Sequence, residues 1–145
     1  MRQVLAQIED WPRDTMAVVG SSLGGFYASV LAERLGCKAV LLNPAVDPAR
    51  DLVKYIGEIT AWHCGEKFFF HAGYIDELRV MHPRAITRPQ RYFAVIAKGD
   101  EVLDWREMAG RYAGCTIKLL EGGDHALSDF EAHLRPIFSF LDPSS

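Results

Sequence analysis

Four short apolar runs divide the chain, and each is nearly continuous rather than alternating with polar residues. The runs cover residues 16–20, 38–43, 92–97 and 116–120. Continuous runs of this length are typical of strands that are buried on both faces, as in a parallel sheet between two layers of helices. The pattern therefore predicts a parallel sheet built from these four segments.

Apolar residues at helical spacing lie between and around the runs. Residues 24–35 carry Ala28, Leu31 and Leu35 on one stripe, and the following Gly36 is suited to end a helix. Three further helices are predicted over residues 4–11, from Asp104 through residue 112, and from Ser128 through residue 141. This alternation of strands and helices favours an α/β doubly wound architecture.

Two local signals refine the last helix. Ser128 and Glu131 have the spacing of a capping box, which predicts a helix that starts near Ser128. Pro136 lies inside the same pattern and predicts a kink or a shorter helix, because proline lacks an amide hydrogen and its ring clashes with the preceding turn.

The segment over residues 58–74 interrupts the alternation. It combines aromatic side chains with two histidines: Trp62, His63, Phe68, Phe69, Phe70, His71 and Tyr74. Two interpretations remain open, a lid over a binding cleft or an irregular connection that packs its aromatic rings on the core.

Composition places the chain among ordinary globular proteins. Its 145 residues are 49% hydrophobic and 24% charged, with a formal net charge of −3. This length predicts one domain over residues 1–145. The small negative net charge does not indicate binding to nucleic acid or to an anionic membrane. No apolar run is long enough to span a bilayer, and Met1 is not followed by the apolar region typical of a signal peptide. The three separated cysteines are expected to be free thiols, which favours a cytoplasmic location.

The strongest chemical signal is the motif GSSLG at residues 20–24, which fits the pattern G-x-S-x-G. It lies between a predicted strand and a predicted helix, where small flanking residues let the chain reverse sharply and the first helical amides can stabilise an oxyanion. The central Ser22 is therefore the candidate nucleophile, and Ser21 is a neighbouring hydroxyl. The alternative is a phosphate-binding loop, but no Gly-Lys-Ser/Thr sequence follows Gly25.

A serine nucleophile needs a base and an acid, which follow later strands in this architecture. Asp100 follows the third apolar run, and His125 follows the fourth, directly after a Gly-Gly pair and Asp124. His125 is the candidate base and Asp100 the candidate acid. Asp104 is better explained as a helix cap, Glu101 is expected to point elsewhere, and Asp124 is too close in sequence to reach the far ring nitrogen. The other histidines are interpreted as surface or core side chains: His63, His71, His82 and His133.

Four segments occur in order: VGSSLGGFYA (19–28), LNPAV (42–46), GDEVLD (99–104) and EGGDHA (121–126). Together they resemble the YqiA-type esterases of bacteria, a compact branch of the α/β-hydrolase fold, over about residues 16–141. The resemblance implies a three-layer α/β-hydrolase-like fold with a mainly parallel sheet. It also implies hydrolysis of carboxylic esters, including thioesters, without a metal or an organic cofactor.

On the matching positions, the resemblance implies Ser22 as nucleophile, Asp100 as acid and His125 as base. Asn43 and Pro44 are interpreted as a turn that shapes the cleft rather than as a catalytic element.

The chain departs from the family pattern upstream of the motif. Family members open with a strand that ends in a His-Gly loop, and this loop supplies the second amide of the oxyanion hole. Only 19 residues precede Gly20, and they contain no His-Gly pair. We therefore expect an N-terminally shortened fold in which the Leu23 N–H is an oxyanion donor without its usual partner. The exposed edge of the nucleophile strand then favours self-association.

Two functions follow from these observations. The first is a serine esterase that acts on a small-molecule ester or thioester through a Ser-His-Asp triad and an acyl-enzyme. The second is a catalytically impaired hydrolase-like domain that binds a ligand or partner through the same cleft. A nucleotide-binding α/β protein is a weaker third interpretation, because no complete phosphate-loop or dinucleotide motif is present.

Overall fold

The computed structural model describes residues 1–60 and 65–142. The chain forms two compact units, one of residues 1–46 with residues from 83 onward, the other of residues 47–82. The single domain expected over residues 1–145 stays a prediction. Trp62, His63 and Cys64, and the C-terminal Pro-Ser-Ser, lie outside the described residues. Within residues 1–60 and 65–142, no helix combines the length and apolar character needed to cross a bilayer.

Strands and helices alternate along most of the described chain. The strands are β1 (Ala17–Ser21), β2 (Lys38–Leu42), β3 (Gly57–Thr60), β4 (Lys67–Phe70), β5 (Tyr92–Ala97) and β6 (Thr116–Leu120). The helices are α1 (Arg2–Gln7), α2 (Leu23–Leu35), α3 (Pro48–Leu52), α4 (Ala72–Met81), α5 (Trp105–Arg111) and α6 (Leu134–Leu141). Short 3₁₀ turns cover Val53–Tyr55, Pro89–Arg91 and Phe130–His133.

Four strands of the first unit form a parallel sheet in the order β1-β2-β5-β6. The register pairs Ser21 with Leu42, Leu42 with Val95, and Ala97 with Leu120, so the carboxyl ends of all four strands are aligned. Loops that leave this edge are brought together, which is why parallel sheets place their sites there.

Side chains of successive strand residues point to opposite faces of the sheet and form two apolar clusters. One face packs against α1, α2 and α5, and the other packs against α6 and the loop before it. The first cluster includes Ala39, Leu41, Ala94, Ile96, Leu31 and Met108, and the second includes Val40, Leu42, Val95, Leu127 and Ile137. This arrangement is the predicted α/β fold with a mainly parallel sheet between helical layers.

The expectation that all four strands are buried on both faces holds for only two of them. Every residue of β5 is buried, and so are four of the five residues of β2. β1 and β6 are the edge strands of the sheet, and Val19 on β1 is 55% exposed. Edge strands have a neighbour on one side only, so a continuous apolar sequence does not by itself fix a central position.

The predicted capping box at Ser128 does not form. The Ser128 hydroxyl and amide both bind the Asp124 carboxylate, and a 3₁₀ turn precedes α6, which begins at Leu134. Pro136 consequently lies in the first turn of α6, where its missing amide hydrogen costs no helical hydrogen bond. α6 is therefore shorter than the helix predicted over residues 128–141, but it continues through Pro136 to Leu141.

The second unit contains regular structure where the sequence suggested an irregular segment. β3 and β4 pair antiparallel, with Gly57 opposite Phe70 and Thr60 opposite Lys67, and α3 packs near α4. The sequence of β4 does not alternate between apolar and polar residues, so the usual signal of a half-buried strand is missing. Its neighbouring rings Phe68 and Phe69 are both exposed, at 46% and 54%. The lid interpretation of residues 58–74 stays a prediction.

Candidate active site

Ser22 lies in the sharp turn that joins β1 to α2. Its backbone has φ 54° and ψ −121°, a conformation that L residues rarely adopt outside strained turns. The turn requires glycine at Gly20, because a Cβ there would collide with the carbonyl oxygen of Gly24. A Cβ on Gly25 would lie 2.7 Å from Cβ of Pro44, whereas Gly24 has open space around its Cβ position. Steric need therefore falls on Gly20 and Gly25 rather than on the second glycine of the motif.

Backbone hydrogen bonds hold the strained serine from both sides. The Ser22 N–H donates to the Leu42 carbonyl at 2.9 Å. The Ser22 carbonyl accepts from the amides of Gly25 and Ala45, each at 2.9 Å. The turn after β2 therefore fixes the serine, in addition to the first turn of α2.

The structure brings the three predicted site residues into one hydrogen-bonded line. Nε2 of His125 lies 2.9 Å from Oγ of Ser22, and Nδ1 of the same ring lies 2.8 Å from Oδ2 of Asp100. The His125 side chain is 21% exposed, while that of Asp100 is fully buried. These distances suit proton transfer between serine and imidazole, with the carboxylate orienting the ring.

The loop after β5 holds the Asp100 carboxylate through the oxygen that does not contact His125. Oδ1 accepts from the amides of Val102 and Leu103, each at 2.8 Å. The second oxygen is consequently left to face His125. Asp100 is thus oriented by the loop that contains it.

The competing carboxylates take other partners. Oδ1 of Asp104 accepts from the amide of Arg106 at 2.9 Å, as expected for the cap of α5. Asp124 binds Ser128, and these hydrogen bonds lower the pKa of its carboxyl group. Glu101 does not bind the imidazole, but its Oε2 accepts the backbone N–H of His125 at 3.0 Å. This last contact could not be predicted from the sequence.

Among the other histidines, His133 is buried and His71 is exposed. Nδ1 of His133 lies 2.9 Å from Nζ of Lys118, and the His71 ring packs on Phe69 and Tyr74. His63 lies outside the described residues. These placements match the structural roles expected for His71 and His133.

Asn43 is the site residue whose part the sequence interpretation missed. Its side-chain Nδ2 donates to the carbonyls of Asp124 at 3.0 Å and His125 at 3.1 Å. Its Oδ1 accepts the amide of Ala97 at 2.8 Å. The available signal was a lone polar residue at the end of a buried strand, since such a residue must find internal partners.

Leu23 is the first residue of α2, where helical amides have no acceptor inside the helix. Its N–H is thus suited to bind an oxyanion formed next to Ser22. The second donor, the missing upstream loop and the shortened N-terminus stay predictions.

The structure also describes two of the cysteine thiols and the side chains of the types that bind metal ions. Cys37 and Cys115 are free thiols, and burial raises the pKa of both, which keeps them protonated at neutral pH. Within residues 1–60 and 65–142, no group of three or more His, Cys, Asp or Glu side chains is placed to hold a metal ion.

Solved structures of other proteins share this fold. A candidate hydrolase from Agrobacterium vitis S4 is 19% identical with a TM-score of 0.72, over 97% of this chain and 66% of that one. Mouse alpha/beta hydrolase domain-containing protein 10 is 20% identical with a TM-score of 0.64, over 99% and 68%. The esterase domain of a Rhodothermus marinus protein is 19% identical with a TM-score of 0.62, over 95% and 65%. The chain thus spans about two thirds of the length of these structures.

These likenesses show the α/β-hydrolase fold. Residues 1–142 match the profile of a family described as uncharacterised protein family UPF0227. This match agrees with the resemblance to YqiA-type proteins that the four sequence segments indicated. The chain therefore belongs to the uncharacterised protein family UPF0227.

Proposed function

We propose that this chain is a serine hydrolase that cleaves small carboxylic esters, including thioesters, through an acyl-enzyme. The observation that carries the proposal is the line of two hydrogen bonds from Ser22 through His125 to Asp100, at 2.9 and 2.8 Å. A buried carboxylate, an imidazole and a serine at a strained turn form the combination used for nucleophilic acyl transfer.

Each atom of this line has a definite task in the proposed reaction. Nε2 of His125 takes the proton from Ser22 as Oγ bonds to the acyl carbon, and Nδ1–H donates to Asp100 throughout. The tetrahedral oxyanion is bound by the Leu23 N–H at the start of α2. On collapse, the alcohol or thiol leaves with the proton from His125. Water then attacks the acyl-enzyme with His125 as base, releasing the acid and free Ser22.

The ester class is supported by the resemblance to YqiA-type esterases and by the esterase domain from Rhodothermus marinus among the structural neighbours. Thioesters are included because the same acyl carbon is attacked and a thiol is a good leaving group.

The decisive experiment is labelling with a fluorophosphonate probe, followed by assay on a p-nitrophenyl ester. Ser22→Ala should abolish labelling and reduce hydrolysis by about 10⁶-fold, the scale of losing a triad serine. Ser21→Ala is the matched control, since it removes the adjacent hydroxyl and should leave labelling intact. Circular dichroism checks that both variants are folded.

Two results would contradict the proposal. Labelling that persists in folded Ser22→Ala protein would place the nucleophile elsewhere. A wild-type chain that takes no label and hydrolyses no ester, but binds an ester analogue in calorimetry, would favour the alternative of an impaired hydrolase-like binding domain.

A further inference from the structure

The turn after β2 contacts the backbone of both the candidate nucleophile and the candidate base. Leu42 and Ala45 hydrogen-bond the amide and the carbonyl of Ser22. Between them, the Asn43 side chain binds the carbonyls of Asp124 and His125. A single turn of the chain therefore joins two loops that lie about 100 residues apart in sequence, as the separation of 103 between Ser22 and His125 shows.

The Asn43 amide has one orientation, because each of its ends has a partner of defined type. The Ala97 N–H can only donate, so it must face Oδ1, and the two loop carbonyls can only accept, so they must face Nδ2. The Asn43 residue is 0% exposed, so water does not compete for these bonds. A buried amide with these bonds satisfied resists displacement.

The backbone of Asn43 also fits this task. Its φ of 40° lies in the left-handed region, which asparagine adopts more readily than most residues. Its own amide donates to the Val95 carbonyl at 3.0 Å, which anchors the residue to the neighbouring central strand β5. The side chain therefore extends from a backbone that is fixed to β5, a strand whose residues are all buried.

We propose that Asn43 is a positioning residue that holds the His125 loop at a fixed distance from Ser22. This role rests on the proposed function, because it concerns the proton transfer between Ser22 and His125. The amide contacts neither reacting atom and acts through the carbonyls of Asp124 and His125. Without it, the imidazole loses its fixed position relative to the turn that carries Ser22, although Asp100 and Ser22 keep theirs.

Two substitutions separate positioning from a merely structural role. Asn43→Ala removes both ends of the amide. Asn43→Asp keeps an oxygen for the Ala97 N–H but has no donor for the loop carbonyls while it is ionised. A residue that only secured the end of β5 would be rescued by aspartate, whereas a residue that positions His125 would not.

The measurements are the kinetics of ester hydrolysis and the ¹⁵N shifts of the His125 ring in ¹⁵N-histidine-labelled protein. For both variants we expect kcat to fall by about 10²-fold with KM unchanged, the cost of a misplaced catalytic group. The ring shifts should move from a single Nδ1–H tautomer toward the mixture of a free imidazole. The control is Tyr112→Phe, which removes a buried hydrogen bond to Ser29 at 2.7 Å and should leave kcat and the ring shifts unchanged.

Defined results overturn this proposal. Wild-type kcat and ring shifts in Asn43→Ala, or their full recovery in Asn43→Asp, would assign Asn43 a structural role only. The ¹⁵N shifts of the His125 ring are measured without substrate. A change from one ring tautomer to a mixture in the variants therefore supports positioning even where the wild-type chain hydrolyses no ester.

A measurement on the unmodified chain applies even if neither variant folds. Asn43 is the single asparagine of the sequence, so ¹⁵N-asparagine labelling gives one side-chain amide pair. This pair should be protected from solvent exchange, because Asn43 is 0% exposed and its Nδ2 donates to two carbonyls. Exchange at the rate of a free amide would refute the contact on which the proposal depends.

Discussion

The backbone of Ser22 stores strain that its surroundings must offset. A residue at φ 54° and ψ −121° costs on the order of 1–3 kcal/mol relative to a relaxed conformation. Hydrogen bonds from Gly25 and Ala45 to its carbonyl, and from its amide to Leu42, oppose this cost. The same bonds direct the side chain toward His125, so the strain and the position of Oγ have one structural origin.

Substitution of the buried carboxylate tests the orientation of the imidazole. Asp100→Asn should lower kcat by about 10⁴-fold, because an amide can present a donor to Nδ1 and favour the wrong ring tautomer. The p-nitrophenyl ester assay measures the effect. Asp104→Asn is the matched control, since asparagine caps a helix about as well as aspartate and should leave kcat unchanged. Equal rates for Asp100→Asn and wild-type protein would exclude Asp100 as the acid.

At the scale of elements, Glu33 ties α2 to the segment that leads into β5. Oε2 accepts the Thr87 hydroxyl at 2.6 Å, and Oε1 accepts the Tyr92 hydroxyl at 2.6 Å. Desolvation alone raises the pKa of Glu33, but the hydrogen bonds from Thr87 and Tyr92 outweigh it and bring the pKa below the ordinary 4.5. Burial and the neighbouring Glu33 raise the pKa of Tyr92, so its hydroxyl remains a donor.

The lowered pKa of Glu33 makes this tie dependent on pH. Its stabilisation is present above the ordinary pKa of 4.5 and is lost as the pH falls through the lower folded value. Glu33→Gln should therefore destabilise the fold by about 1 kcal/mol at neutral pH, and the difference from wild type should shrink below that range. Urea unfolding at several pH values measures it. The exposed Glu131→Gln is the control, and a Glu33→Gln difference that grew in acid would reverse the assigned sign.

The four strands of the parallel sheet were predictable from sequence because each contains a short, nearly continuous apolar run. Residues 92–97 and 116–120 coincide with β5 and β6, and the end of α2 at Gly36 follows from its left-handed φ of 74°. Position within the sheet was not predictable, since β1 and β6 also contain short apolar runs although they lie at its edges. The true partner of Ser128 was also hidden, because Asp124 lies outside the helix that the capping pattern suggested.

In the candidate site, too, some features could be predicted from the sequence and others could not. The spacing of Ser22, Asp100 and His125 after successive strands is local, and it could be seen in the sequence. The contact of Asn43 with the His125 loop joins residues separated by 82 positions, and it depends on the sheet register. Such a contact becomes visible only when the strand order is known, because β2 lies between the nucleophile strand and β5.

At the scale of the whole molecule, the parallel sheet gathers the site from three separate loops. Ser22 follows β1, Asp100 follows β5 and His125 follows β6, while β2 contributes Asn43 from between them. Because all four strands run in one direction, each of these loops leaves the same edge. The cost of this order is that the nucleophile strand is an edge of the sheet as described.

The exposed edge at β1 predicts self-association of the isolated chain. Strand edges present unpaired backbone groups, and a second copy can pair with β1 about a two-fold axis. Val19 on this strand is 55% exposed and adds apolar surface that the pairing would cover. Val19→Lys should therefore shift the chain toward monomer in sedimentation experiments over a range of concentrations, because lysine opposes edge pairing. Val80→Lys is the matched control, since Val80 is 85% exposed on α4 and lies outside the sheet. Equal association of the two variants would show that copies meet through another surface, and a wild-type chain that stays monomeric throughout would remove the edge as an interface.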